Sequence, residues 1–174
     1  LFTASGNVTL TDLTLDGAMV VNNAANLILA GTINNVANTI TVTSVGTTTD
    51  VRVDDGTTTL AGGGTLSLQS NATRLVDEAV TGFGMLVNQD NTIRGFGQLG
   101  ANTLDFVNQA DGTVVADTNG QTLIVDQRTN GVLTNLGTFA ATGGGTLRIT
   151  DDFVNDGIIK AVGNASTVQF DNDL

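Results

Sequence analysis

Paired acidic residues are the most chemically suggestive feature of this sequence: Asp54-Asp55, Asp77-Glu78 and Asp151-Asp152. Two facing carboxylates can divide the acid and base roles of glycoside hydrolysis. Neighbours on a strand point to opposite faces, so a working pair would have to be assembled from separate segments. The rest of a catalytic vocabulary is missing. His, Cys, Trp and Tyr do not occur, which removes an imidazole base, a thiolate and the larger rings that stack on sugars. A lyase would grip an acidic sugar with clustered cations, whereas Arg52, Arg74, Arg94, Arg128, Arg148 and Lys160 are dispersed singly. The chain therefore reads as a non-enzyme, with no catalytic residue assigned and a polysaccharide-active enzyme as the least favoured alternative.

Hard cations take carboxylate and carbonyl oxygens, so the turn aspartates Asp54, Asp55, Asp151 and Asp152 could hold adventitious Ca²⁺. No dedicated metal site or cofactor is assigned. Ala61-Gly-Gly-Gly-Thr65 and Thr142-Gly-Gly-Gly-Thr146 lack the Asp of the calcium-binding nonapeptide and do not recur in tandem, so they read as tight corners. Threonine arrays of the kind that order ice recur on every coil; here Thr41, Thr43, Thr47–Thr49 and Thr57–Thr59 are the rich patches, and they stop after residue 59. Asn7-Val-Thr, Asn71-Ala-Thr and Asn164-Ala-Ser are read as chance glycosylation matches in an Asn- and Thr-rich chain.

Seventeen acidic against six basic residues give a net charge of −11. Nucleic-acid partners need clustered cations to displace counterions, and anionic lipid asks the same. No run approaches the roughly 20 apolar residues of a membrane span. Nucleic acid and membrane insertion are set aside on these grounds.

The elements that must position any site are short strands. Asn7-Val-Thr-Leu-Thr-Asp-Leu-Thr-Leu15 alternates apolar and polar residues with period two. From residue 102 one unit returns: a Thr-apolar-x-apolar strand, a strand ending in Asn, a Gly-containing turn and a third apolar strand. Asn88, Asn108, Asn135 and Asn155 recur at equivalent places and predict a structural asparagine ladder. Thr103, Thr122, Thr146 and Thr167 anchor the units at intervals of 19, 24 and 21 residues. Their inward pairs are taken as one set of columns: Leu66/Leu68, Leu104/Phe106, Leu123/Val125, Leu147/Ile149 and Val168/Phe170.

Units this short cannot bury their own apolar face, so neighbours must stack. The expected fold is all-β, a parallel β-helix (β-solenoid) with three short strands per coil of roughly 19–27 residues. Residues 1–174 form a single solenoid segment, with 69–85 as an insertion or degenerate coil that could hold a helical turn. Opening at Leu1 and ending in strand-like sequence, the chain reads as a fragment of a larger or processed protein.

Counting Thr65 with the later anchors, the Asn-to-Thr distance is nearly constant while the Thr-to-Asn distance swings from 5 to 23 residues. Insertions in a solenoid project from one face. Recognition is therefore expected in the variable half, especially at 69–85 and 126–131, with the contacting residues unassigned.

The segment Asn91-Thr-Ile-Arg-Gly-Phe-Gly-Gln-Leu-Gly-Ala-Asn-Thr-Leu-Asp-Phe-Val-Asn-Gln-Ala-Asp-Gly-Thr-Val, with Phe153-Val-Asn-Asp-Gly-Ile-Ile-Lys-Ala-Val-Gly, resembles the repeats of large secreted bacterial surface proteins. These are autotransporter passenger domains and filamentous-haemagglutinin-like adhesins. The resemblance covers residues 86–170 well and 1–60 loosely. It implies a right-handed β-helix at the bacterial cell surface or released from it, and carries over no functional residue. The resulting expectation is a structural and adhesive module, extracellular or on the cell surface, extending a rod and presenting loops. Its partners would be flanking repeats or other copies stacked end to end, and a host or surface protein or glycan. The alternative is a subunit of an extracellular filament assembled by coil stacking.

Overall fold

Short alternating runs leave each strand with one apolar face and two unpaired edges, and both needs are met when successive coils stack in parallel. A computed structural model of the chain describes residues 1–78 and 82–172. Among these it contains strands and turns but no helix. In chain order the strands are β1 (Phe2–Ala4), β2 (Asn7–Leu15), β3 (Met19–Val21), β4 (Asn26–Asn35) and β5 (Thr39–Val42). They continue as β6 (Thr49–Val53), β7 (Gly56–Ala61), β8 (Thr65–Asp77), β9 (Gly84–Asn88) and β10 (Thr92–Leu99). Then come β11 (Asp105–Asn108), β12 (Thr113–Ala116), β13 (Thr122–Val125), β14 (Leu133–Asn135) and β15 (Thr138–Thr142). The last are β16 (Thr146–Ile149), β17 (Val154–Asn155), β18 (Ile158–Val162) and β19 (Thr167–Phe170).

All strand pairings are parallel, and they sort the strands into three walls. The first wall stacks β1, β3, β5, the start of β8, the start of β10, β12, β15 and β18. The second stacks the starts of β2 and β4, then β6, the ends of β8 and β10, β13, β16 and β19. The third stacks the ends of β2 and β4, then β7, β9, β11, β14 and β17. This is a three-walled parallel β-solenoid. On the first wall, stacked residues lie 17 positions apart at Phe2 and Met19 but 27 apart at Leu66 and Ile93, so the opening coil is shorter than the spacing of the repeats predicts.

The core is a bundle of columns. Met19, Ile40, Leu66, Ile93, Val114 and Phe139 follow one another up the first wall, and Leu27, Val51, Leu75, Leu99, Val125 and Ile149 up the second. All are buried. At about 25 cal/mol per Å² of apolar surface, columns like these supply the main stabilising term. Phenylalanines from all three walls meet inside: Phe106 on Phe139 and Phe139 on Phe153 at 6.4 Å, then Phe153 on Phe170 at 5.9 Å between ring centroids, each pair stacked.

One column assignment made from the sequence is corrected. Leu66/Leu68 belong to the first wall, Leu104 and Phe106 to the third-wall side, and only Leu123/Val125, Leu147/Ile149 and Val168/Phe170 share the second wall. Thr65 opens a first-wall segment, Thr103 lies in the turn after β10, and Thr122, Thr146 and Thr167 open second-wall strands. Alternation is identical on every wall, so the Thr-apolar-x-apolar pattern does not say which wall it builds.

The stretch 69–85 divides. Residues 69–77 continue β8, and Thr73–Asp77 pair with β6 as a regular piece of the second wall, without a helical turn. Its inward residues are Thr73, Leu75 and Asp77, two of them polar, which hides the strand from a hydrophobicity pattern. Residues 79–81 of this stretch lie outside the described residues, and Gly84–Asn88 form β9.

Candidate functional site

The recurring asparagines stand in one third-wall column, Asn88 beneath Asn108, Asn135 and Asn155. The first three are fully buried and Asn155 is exposed. Each Nδ2 donates to the Oδ1 of the next asparagine: Asn88 to Asn108 at 2.8 Å, Asn108 to Asn135 at 2.9 Å and Asn135 to Asn155 at 2.8 Å. The same amides satisfy the corner that follows. Asn88 donates to Asn91 O at 2.9 Å and Asn108 to Gly112 O at 3.0 Å. A buried amide needs all of these partners, and here the next coil and the following corner of the same coil provide them. The column holds the scaffold and faces its interior.

The adjacent acids point different ways. Asp54 Oδ1 accepts from its neighbour's own N–H, Asp55 N, at 2.9 Å in the turn before β7. Asp77 is buried and accepts from Gly84 N at 3.0 Å, while Glu78 turns outward to Arg52. Asp151 instead meets a residue of the coil below, Asp126, with Thr150 Oγ1 donating at 3.2 Å to Asp126 Oδ1 and placed 3.1 Å from Asp151 Oδ2. Burial pushes the Asp126 carboxyl up, and its contact with Asp151 pushes it further the same way. Facing carboxylates thus arise across coils and not within the sequence pairs.

The densest polar cluster lies on the outer face of the second wall. Asp50, only 2% exposed, accepts from Arg74 Nε and Nη2, both at 2.9 Å, and from Arg52 Nη2 at 3.2 Å. Arg52 Nη1 reaches on to Glu78 at 3.1 Å. The bonds that Arg74 donates to Asp50 hold its guanidinium above its ordinary pKa despite partial burial. These residues, with Asp77 and Thr103, line a cleft of about 230 Å³. Thr103 ties the cleft to the next coil, accepting from Asp77 N at 3.2 Å and donating to Gly100 O at 2.8 Å.

At the corner between the second and third walls, the two variable stretches come together. The Arg128 guanidinium sits 4.3 Å from the centre of the exposed Phe83 ring. It is held there by Asp105, which accepts from Arg128 Nη2 at 2.9 Å and, through its other oxygen, from Val132 N at 2.8 Å. An aromatic face backed by a cation and bordered by directional charged pairs offers both stacking and fixed hydrogen bonds.

The ion pairs are not legible from single positions. Arg74 and Asp50 are 24 residues apart, Arg52 and Glu78 26, and Arg94–Asp117, Arg128–Asp105 and Arg148–Asp171 are each 23 apart. Each of these five spans about a coil, unlike Arg52–Asp50 two residues apart on β6, so opposite charges at the repeat period were the available signal. A threonine column was missed in the same way. Thr39, Thr65, Thr92, Thr113 and Thr138 stack on the outside of the first wall, well beyond residue 59. The neighbouring outward column runs Thr41, Ser67, Arg94, Val115 and Ala140, so no flat double array of hydroxyls forms.

Fold and surface together define a parallel β-solenoid scaffold carrying a polar, partly aromatic corner. Comparison with family models, curated proteins and solved structures finds no match to this chain.

Proposed function

We propose that the chain is a structural and adhesive β-solenoid module of a secreted bacterial surface protein, working outside the cell or on its surface, which extends a rod and presents the corner between its second and third walls. The observation that carries the recognition half is the meeting of Phe83 and Arg128, drawn from two different variable stretches, beside the Asp50–Arg74 cleft. Columns and ladder make the support rigid, and rigid elements hold contact groups at little entropic cost on binding. The bacterial and extracellular part of the reading rests on the resemblance of the repeats.

Phe83 and the planar charged groups suit a glycan or a polar protein surface, and the reading is non-enzymatic. Binding of the folded chain to immobilised glycans and to cell-surface preparations tests it. Retention is expected, weakened about tenfold or more by Phe83→Ala with Arg128→Ala, on the 1–3 kcal/mol scale of losing one stacked, cation-backed ring. Retention that ignores both substitutions would reject the corner as the contact surface, and turnover of a polysaccharide would reject the non-enzymatic reading.

A further inference from the structure

Seven phenylalanines occur in the chain, and six have a place already. Phe106, Phe139, Phe153 and Phe170 stack inside, Phe83 meets Arg128, and Phe2 lines an apolar hollow with Val8 and Leu10. Phe96 is the exception. It stands half-buried on the outside of β10, where that strand passes from the first wall to the second. Alternation sends Ile93 and Leu99 inward and Arg94 and Phe96 outward. The glycines on either side keep it there. A Cβ at Gly95 would lie 2.0 Å from Leu68 O and one at Gly97 2.5 Å from Thr73 O, so both press their backbone on neighbouring chain. Around the ring is a groove of about 390 Å³, lined chiefly by Phe96, Arg94, Asp117, Ser67, Gln69 and Thr118. Three successive coils contribute: β8, β10 and the turn after β12. Arg94 Nε donates to Asp117 Oδ2 at 2.6 Å, and Nη2 pairs with the same oxygen. Among the described residues, Arg94 Nη1 and Asp117 Oδ1 have no protein partner, nor do the side chains of Ser67, Gln69 and Thr118.

We propose that this groove binds a neutral β-linked oligosaccharide, with one pyranose ring laid on Phe96 and adjacent hydroxyls divided between Arg94 and Asp117. The face of an aromatic ring is its electron-rich side, and an all-equatorial pyranose presents it with a flat set of axial C–H groups. Neighbouring equatorial hydroxyls each carry a donor and acceptor sites. Arg94 Nη1 supplies a fixed donor for one and Asp117 Oδ1 a fixed acceptor for the next, because their mutual ion pair holds both in place. Ser67, Gln69 and Thr118 surround the ring with further free polar groups. A neutral sugar fits the charge. Arg94 is already neutralised by Asp117, and a chain of net charge −11 has no surplus cation here to hold an acidic one. The size also favours a glycan over a protein partner. Small-molecule sites occupy about 300–1,000 Å³, whereas a stable protein contact covers about 800 Å² of each partner. The groove lies at the corner between the first and second walls, apart from Phe83 and Arg128, and does not depend on what that other corner binds.

Titration of the isotope-labelled chain with cellohexaose, followed by backbone amide chemical shifts, tests the proposal. Saturable shifts are expected at Arg94, Gly95, Phe96 and Asp117, with a Kd of about 1 mM or tighter. A hyaluronan hexasaccharide, the acidic control, should bind more weakly. Phe96→Leu keeps an apolar side chain but removes the flat face, and should weaken cellohexaose about tenfold. Phe96→Trp enlarges the face and should tighten it, a gain that loss of folding cannot imitate. The amide spectrum of each variant establishes its fold. Absence of saturable shifts up to about 10 mM cellohexaose would overturn the proposal. So would equal affinity for the acidic control, or an affinity that neither Phe96 substitution alters. Shifts confined to the surroundings of Phe83 and Arg128 would overturn this site while leaving the other corner standing as a contact surface.

Discussion

Asn108 and Asn135, 27 residues apart and both fully buried, are joined by a 2.9 Å hydrogen bond from Nδ2 of the first to Oδ1 of the second. The bond spans the step between one coil and the next, and so fixes which residue stacks on which. Leu and Val columns would tolerate sliding; an amide that must find one acceptor does not.

Asn108→Ala should therefore be costly. It removes the acceptor of Asn88, the donor to Asn135 and the donor to Gly112 O. Leaving buried polar groups unpartnered costs about 1–3 kcal/mol each, so a loss of about 3 kcal/mol or more is expected in urea unfolding. Asn155→Ala, at the exposed end of the column, should cost less than about 1 kcal/mol by the same reasoning. Equal losses at the two positions would contradict the ladder as a buried network.

Asp50→Ala should destabilise the second wall, because it strands two arginines. Breaking a fully buried pair costs about 3–5 kcal/mol. The side chains of Arg52 and Arg74 are 31% and 37% exposed, which lets water screen them and brings the expectation down to about 1–2 kcal/mol. A double-mutant cycle of Asp50→Ala with Arg74→Ala measures the coupling, and a value near zero would remove the cleft's rigid frame.

The Asp126–Asp151 contact predicts a pH effect of definite sign. The folded-state pKa of Asp126 is raised, by burial first and by Asp151 second. Its contribution to stability is therefore fully present below the ordinary aspartate pKa and is lost as pH rises through the raised folded value. Asp126→Asn removes that titration. The variant should gain stability over the parent as pH rises through this window, with a constant advantage above it. Thermal unfolding of both proteins from pH 3 to 7 checks this, and parallel profiles would refute it.

Gly95 bends β10 from the first wall to the second with φ +105°, and a Cβ there would sit 2.0 Å from Leu68 O of the coil below. Gly95→Ala combines left-handed strain with a backbone clash and should cost about 3 kcal/mol or more. Gly46→Ala, at φ +84° with open space around it, carries the strain alone, about 1 kcal/mol. Comparing the two melting temperatures separates coil-to-coil contact from intrinsic conformation.

The division between sequence and tertiary structure follows from which interactions are local. Period-two alternation at residues 7–15 and the short unit recurring from residue 102 are enough to require stacked strands, because neither can bury its apolar face alone. The spacing of Asn88, Asn108, Asn135 and Asn155 belongs to the same local pattern. Wall identity does not. Thr65 and Thr122 open strands with the same alternation, and only pairing across coils places one on the first wall and the other on the second. Residues 73–77 were hidden because Thr73 and Asp77 occupy inward positions whose polar groups are satisfied there, Thr73 by donating to Ser70 O within β8 and Asp77 by accepting from Gly84 N of β9. The candidate site is tertiary for the same reason: Asp50 with Arg74, Asp126 with Asp151 and Phe83 with Arg128 are each brought together by the pitch of the coil. The sequence by itself determined that this chain must stack; the stacking decided which charges meet and where the surface can recognise anything.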